Sequence, residues 1–329
     1  MLSKIFKVSE ENFLALAKEV FKYQVDNLDV YYDYIKNTFP HLISNYQEIR
    51  NLSEIPFMPI SAFKKYRIIS NHMESQAVFM SSGTAGERSK HYVADLDLYK
   101  QSFTKSFKLF YGDISDWHIL SLLPSYVEQG NSSLVYMVDN LIREIGDDAS
   151  GFYLYDHEKL YNSINKLAGT QKKILLIGVS YALLDFVEKY TLQHKIHNLF
   201  IMETGGMKGR REEISKEALH EILKQAFKVD QVHSEYGMTE LLSQAYSSGG
   251  GIFRSPNWMK IIISDFTDPF NSVKDGKTGI VKVIDLANIY SCSFIQTEDI
   301  GVKMPGERFK ILGRLSSADM RGCNLMLND

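Results

Sequence analysis

The sequence predicts an α/β fold: a body of mostly parallel strands with crossover helices, followed by a β-rich C-terminal subdomain. Two observations carry this. Between residues 117 and 237 short apolar runs alternate with amphipathic stretches, the pattern left by parallel strands joined through crossover helices. After residue 250 the amphipathic stretches stop, and short strands separated by DPFNSVKDGKTG take over. The expected division is residues 1–250 for a helical entry segment plus α/β body and 251–329 for the β-rich part.

Residues 1–70 read as mostly helical, with apolar residues of EENFLALAKEVFKYQVDN and VYYDYIKNTF recurring at three- and four-residue steps. Pro56 and Pro59 in IPFMPISAF forbid a continuing helix. AVFM, just before Ser81, is a short strand. WHILSLLP (117–124) is a strand by its apolar run, and SSLVYMVDNLIREIG (132–146) is a helix. GFYLYD (151–156) is a strand, HEKLYNSINKLA (157–168) a helix, KKILLIGVS (172–180) a strand and YALLDFVEKYTL (181–192) a helix. NLFIMETGG (198–206) is again a strand. In the helix over 212–227, Ala218, Leu219, Ile222, Leu223, Ala226 and Phe227 share one face. VDQVHSEYG (229–237) returns as a strand, and MKIIISD, GIVKVIDL and SCSFIQT build the β-rich end.

Composition excludes several classes. In 329 residues, 44% hydrophobic content supplies a real core and rules out disorder as the dominant state. Lys plus Arg (37) nearly balances Asp plus Glu (40), which gives no electrostatic footprint for nucleic acid. The longest uncharged apolar stretch, Ile174 to Leu184, is too short for the roughly 20 residues a bilayer needs. Cys292 and Cys323 stand 31 positions apart without a CxxC, which fits a reducing, cytoplasmic setting rather than a disulfide scaffold. His194 and His197 have no partner at metal-ligand spacing.

Five segments carry candidate chemistry. SSGTAGERSK (81–90) follows a strand; its small residues let backbone N–H groups approach an anion, and Lys90 neutralises charge. It lacks the GxxxxGK[ST] spacing of a Walker A loop. ETGG (203–206) and HSEYGMTE (233–240) close predicted strands, where an open parallel sheet holds its ligands. Thr239 and Glu240 offer oxygen ligands for a phosphate-bound Mg2+. TEDIG (297–301) and Gly313-Arg314 leading to Arg321-Gly322-Cys323 complete the set. Taken singly, each also reads as an ordinary turn, bend or helix start.

Together and in this order, spanning residues 81–322, the segments resemble the motif series of adenylate-forming enzymes. That superfamily holds acyl-CoA synthetases, nonribosomal adenylation domains and phenylacetate-CoA ligases. LPSYVEQGNSS (123–133), METGGMKGRRE (202–212) and PISAFKKYRI (59–68) resemble the acyl-protein synthetase (LuxE-type) group within it. The resemblance implies the N-terminal-domain body of that superfamily, ATP and Mg2+ as cofactors, and activation of a carboxylic, expectedly fatty, acid. Ser81, Ser82, Gly83, Thr84, Gly86 and Lys90 would form the loop over the ATP phosphates. Gly205 and Gly206 would lie beside the adenine, Tyr236 would stack on it and Gly237 would complete the wall. Thr239 would touch a phosphate, Glu240 would hold the metal, Asp299 would take the ribose hydroxyls and Arg314 would sit near the ribose and α-phosphate.

Two departures stand out. Ser89 replaces the proline that usually precedes the loop lysine, an expectation of a freer loop. The chain ends at Asp329, so the superfamily's mobile C-terminal domain with its catalytic lysine is expected to be absent. By the same resemblance Cys323 is the acyl acceptor, with Arg321 lowering its pKa. Coenzyme A, or a partner protein such as a reductase or carrier, is the alternative acceptor. Cys292, within a strand, is read as a buried structural thiol. Two other readings compete: a non-catalytic acyl- or nucleotide-binding protein of the same fold, and a hydrolase built on Gly178-Val179-Ser180-Tyr181-Ala182, which lacks the final glycine of a nucleophile elbow.

Overall fold

The computed structural model describes residues 1–82, 87–125, 128, 130–206 and 214–315. In chain order its strands are β1 (Met58–Pro59), β2 (Ala77–Met80), β3 (Lys90–Val93), β4 (Trp117–Leu122), β5 (Gly151–Phe152), β6 (Lys173–Gly178), β7 (Leu199–Glu203), β8 (Val232–Tyr236), β9 (Ala245–Ser247), β10 (Met259–Ser264), β11 (Thr278–Asp285), β12 (Phe294–Met304) and β13 (Arg308–Arg314). The body is a six-stranded sheet of order β5-β4-β6-β7-β8-β9, parallel except for β9. β2 and β3 form a separate antiparallel hairpin. The β-rich part joins β10, β11, β12 and β13 in antiparallel pairs.

Local chemistry explains the alternation. β4 and β6 are buried along nearly their whole length, as strands covered on both faces must be. The helices Leu96–Tyr111, Ser133–Ile145, His157–Leu167 and Lys216–Phe227 start at Asp95, Ser132, Asp156 and Ser215. Each of these four side chains accepts the backbone N–H three residues on. Capping also shortens one predicted strand. GFYLYD pairs only at Gly151–Phe152, because Tyr155 turns out to solvent and Asp156 is taken as the next cap.

The two faces of the sheet are covered by different helices. Residues of β8 alternate: Ser234 approaches His220 of Lys216–Phe227, while His233 meets the hydroxyl of Tyr111 on Leu96–Tyr111. The inward stripe of Lys216–Phe227 is Leu219, His220, Leu223, Ala226 and Phe227. Ile222, expected inside, is 43% exposed, since the helix is rotated to bring His220 toward a buried carboxylate on β7.

The entry segment reaches across to the β-rich sheet. β1 pairs in parallel with β12, Met58 opposite Ile295. Gln24, fully buried on the helix Glu10–Asn27, donates to the carbonyls of Ile289 and Ser291 and accepts from the N–H of Ser293. One apolar core runs from Ile5 to Ile295. Among the described residues no helix is long and apolar enough to cross a membrane.

Candidate functional site

β8 delivers Tyr236 to the carboxyl edge of the sheet, and the chain then turns through Gly237. A side chain has no room there: a Cβ would stand 2.4 Å from Oε1 of Glu235 and 3.3 Å from Cγ of Gln244. The Tyr236 hydroxyl donates to Oδ2 of Asp299 at 2.7 Å, and its ring packs edge-on against Phe253 and Phe309. Arg314 donates from Nε to Oδ1 of Asp299 at 3.3 Å. Asp299 therefore holds a partner on each oxygen and still has lone pairs for two hydroxyls. TEDIG is not a surface bend; it lies inside β12, with Asp299 directly opposite Arg314 of β13. A bulge between Ile300 and Gly301 sets that pairing. Gly301 is forced, since a Cβ would come within 2.9 Å of the Lys310 carbonyl oxygen, Ile263 and Val281.

The segment SSGTAGERSK connects the hairpin strands β2 and β3. Ser89 N–H donates to Ser81 Oγ (3.0 Å) and Ser81 N–H to the Ser89 carbonyl (3.1 Å), closing the neck of the loop. Ser82 and Lys90 are exposed beside it. Gly83, Thr84 and Gly86 lie outside the described residues. Ser89 stands at the foot of the loop, whose residues 83–86 lie outside the described residues. It is buried, and its hydroxyl hydrogen-bonds to the carboxyl of Glu240.

Glu240 is itself buried. Burial raises its pKa, against the Ser89 hydrogen bond, its own backbone N–H and the Arg314 charge. Thr239 and Glu240 sit on an irregular turn after β8, not at a helix start. Among the described residues no three His, Cys, Asp or Glu side chains converge. A Mg2+ ion here would therefore take the Glu240 carboxylate and fill its shell with phosphate oxygens and water, an arrangement this ion ordinarily adopts with nucleotides.

The Gly205-Gly206 corner has its own support. Both glycines adopt positive φ (+73° and +87°), where a side chain would be strained. Glu203, 1% exposed at the end of β7, accepts the Gly205 N–H at 2.7 Å, pairs with the Lys216 ammonium and takes a hydrogen bond from His220. Burial works to raise its pKa, but His220 and Lys216 outweigh it and hold the carboxyl at about 2. The Lys216 ammonium also lies 5.2 Å from the Phe253 ring centre, which connects this corner to Tyr236. Glu235 is different. Burial pushes its carboxyl up to about 8, with the Glu203 charge adding and Lys216 opposing.

The structure thus brings Ser81, Tyr236, Gly237, Thr239, Glu240, Asp299 and Arg314 into one linked group, with Gly205 and Gly206 joined to it through Glu203 and Lys216. Sequence reasoning missed Lys216, His220, His91 and Asn288 as participants, and gave Glu203, Glu235 and Ser89, which stand in segments it singled out, none of these contacts. One signal was available: a histidine interrupting the apolar stripe of Lys216–Phe227. Cys292 is the buried thiol expected; its Sγ donates to the Phe294 carbonyl, and burial pushes its pKa to about 12. Cys323 lies outside the described residues. Ser180 is buried, and its N–H donates to the Gly205 carbonyl, so it belongs to the glycine corner.

The family model described as "Acyl-protein synthetase, LuxE" matches residues 128–329. The chain belongs to the acyl-protein synthetase LuxE family. A relative named long-chain-fatty-acid--luciferin-component ligase, from Aliivibrio fischeri, is 23% identical over 341 residues, covering 95% of this chain and 86% of that protein. Among solved structures, 2-hydroxyisobutyryl-CoA ligase in complex with 2-HIB-AMP and CoA superposes with a TM-score of 0.66 at 11% identity, over 96% of this chain and 71% of that one. ATP-bound MatB from Rhodopseudomonas palustris gives 0.55 at 15% identity, over 72% of this chain. This LuxE-family chain covers 48% of the length of MatB. At these identities the structural likeness establishes a shared fold.

Proposed function

We propose that this protein activates a carboxylic acid with ATP and passes the acyl group to a thiol. The acid's carboxylate oxygen attacks the α-phosphorus, the bond to the β-phosphate oxygen breaks, and acyl-adenylate and pyrophosphate result. A thiolate then attacks the acyl carbon, AMP leaves and a thioester remains. The observation that carries this reading is the convergence of Tyr236, Asp299 and Arg314 with Thr239 and Glu240 beyond β8, in a LuxE-family chain.

Each residue has a role that its surroundings support. Asp299 accepts the ribose hydroxyls, oriented by Tyr236 and Arg314. Lys90 and Arg314 offset charge on the phosphates, Thr239 donates its hydroxyl to one, and Ser81 and Ser82 line the loop above them. Mg2+ bound by Glu240 would neutralise charge building on the transferring phosphate. The fatty-acid relative favours a fatty acid as substrate. The relative bound to CoA favours a thiol acceptor, which the family resemblance assigns to Cys323, with coenzyme A or a partner protein as the alternatives. Cys292 is unsuited, being sealed and protonated.

Trapping tests the reading. Acid, ATP, Mg2+ and hydroxylamine should yield a hydroxamate and AMP in equal amounts, with long-chain acids best. Release of ADP, or no hydroxamate with any fatty, aromatic or amino acid, would refute it.

A further inference from the structure

The turn carrying Thr239 and Glu240 makes little use of its own backbone hydrogen bonds. Leu241 N–H donates to the Met238 carbonyl at 3.1 Å, and the other grips on it come from distant segments. Nδ1 of His91 donates to the Thr239 carbonyl at 2.8 Å. Nδ2 of Asn288 donates to the Glu240 carbonyl at 2.7 Å and to the Cys292 carbonyl at 2.9 Å. Nε2 of His91 lies 3.0 Å from Oδ1 of Asn288, so the two residues stand back to back. From the other side the Asp285 carboxylate accepts the N–H groups of Leu242 and Ser243.

Neither gripping residue is loose. His91 is fully buried, with the Phe63 ring edge-on at 5.8 Å. Asn288 is buried, and its carbonyl takes a hydrogen bond from Gln24. With the carbonyls of residues 239 and 240 tied down, the two side chains leave the turn in fixed directions. His91 directly follows Lys90, so one short strand carries both the cation assigned above to the phosphates and the grip on the turn of Glu240.

The geometry points to His91, backed by Asn288, as a positioning residue that aims Thr239 and Glu240 at the phosphates and their metal. This rests on the role given above to Thr239 and Glu240. It adds that the bond to the Thr239 carbonyl, rather than the bulk of the imidazole, is what matters. Two acceptors face the ring, the Thr239 carbonyl at Nδ1 and Oδ1 of Asn288 at Nε2. A carbonyl oxygen only accepts, so the Thr239 contact requires a hydrogen on Nδ1.

Side-chain geometry supplies the test. The amide nitrogen of asparagine sits where Nδ1 sits, and that of glutamine where Nε2 sits. His91→Asn, His91→Gln and His91→Leu are compared in three measurements: melting temperature without ligand, the Mg2+ midpoint of the ATP-induced melting shift, and kcat and KM for acid in pyrophosphate exchange. His91→Gln and His91→Leu should need about 10–100-fold more Mg2+ and lose kcat, with KM for the acid unchanged. His91→Asn should stay near wild type in both. If His91→Leu does not fold, the contrast between His91→Asn and His91→Gln decides alone. A wild-type Mg2+ midpoint in all variants, or His91→Asn as impaired as His91→Gln, would overturn the inference while leaving the adenylation reading intact. A wild-type protein with no Mg2+-dependent ATP shift would overturn both.

Discussion

Asp299 takes the Tyr236 hydroxyl on one oxygen and the Arg314 guanidinium on the other, so its contribution to nucleotide binding is tied to its orientation. ATP with Mg2+ should raise the melting temperature of the wild-type protein, since binding to the native state alone stabilises it by about 2.7 kcal/mol at a hundredfold excess over Kd. Asp299→Ala should fold yet lose most of that shift; a shift of full size would exclude the ribose assignment. Glu235 yields a prediction with a definite sign. Its folded pKa of about 8 stands above the ordinary 4.5. The protonated carboxyl therefore favours the fold fully below about pH 4.5, and that advantage is lost as pH rises through 8. Glu235→Gln, which cannot ionise, should match wild type at pH 4 and exceed it at pH 9 by on the order of a few kcal/mol in urea unfolding. Equal stability at pH 9 would show that the burial argument is mistaken.

At the scale of elements, the site depends on strands being held at particular offsets. The bulge at Gly301 puts Asp299 opposite Arg314, and the space Gly301 leaves is already filled by Lys310, Ile263 and Val281. Gly301→Val should cost about 1–3 kcal/mol in stability and also weaken the ATP-induced shift. An unchanged shift would mean that the register of β12 and β13 does not set the pocket. The parallel strands were legible from sequence because a strand buried on both faces is a nearly continuous apolar run, and the crossover helices because their caps and stripes are local. The edges of the pattern were not. β1 has two residues, and its pairing with β12 joins positions more than 200 apart. Asp299 looked like part of a bend because polar residues alternate along β12, yet that alternation belongs to a strand with one face toward the site. The burial of Ser89 against Glu240 was not legible either, because the contact exists only once the hairpin folds over the turn after β8.

For the whole molecule, the motifs that carry the family resemblance were visible in order, but their supports were not: His91 meets Thr239 and Asn288 at separations of 148 and 197 residues, and Glu203 meets Lys216 and His220 only once their helix packs back on β7. In the proposed reaction two places share the work: adenylation in the linked group beyond β8, and acyl capture by a thiol. Cys323→Ser should keep adenylation and lose hydroxylamine-sensitive labelling by radioactive acid plus ATP, while Cys292→Ala should keep both with a modest loss of stability. Labelling that survives Cys323→Ser would assign capture to coenzyme A or a separate protein. The central claim is adenylation itself, and acid-dependent exchange of labelled pyrophosphate into ATP tests it most directly. Wild-type protein should show exchange only with acid present. Glu240→Gln and Lys90→Ala should lower it on the order of a hundred- to a thousandfold without a matching fall in melting temperature. Exchange absent with every acid, or undiminished in both variants, would contradict the account.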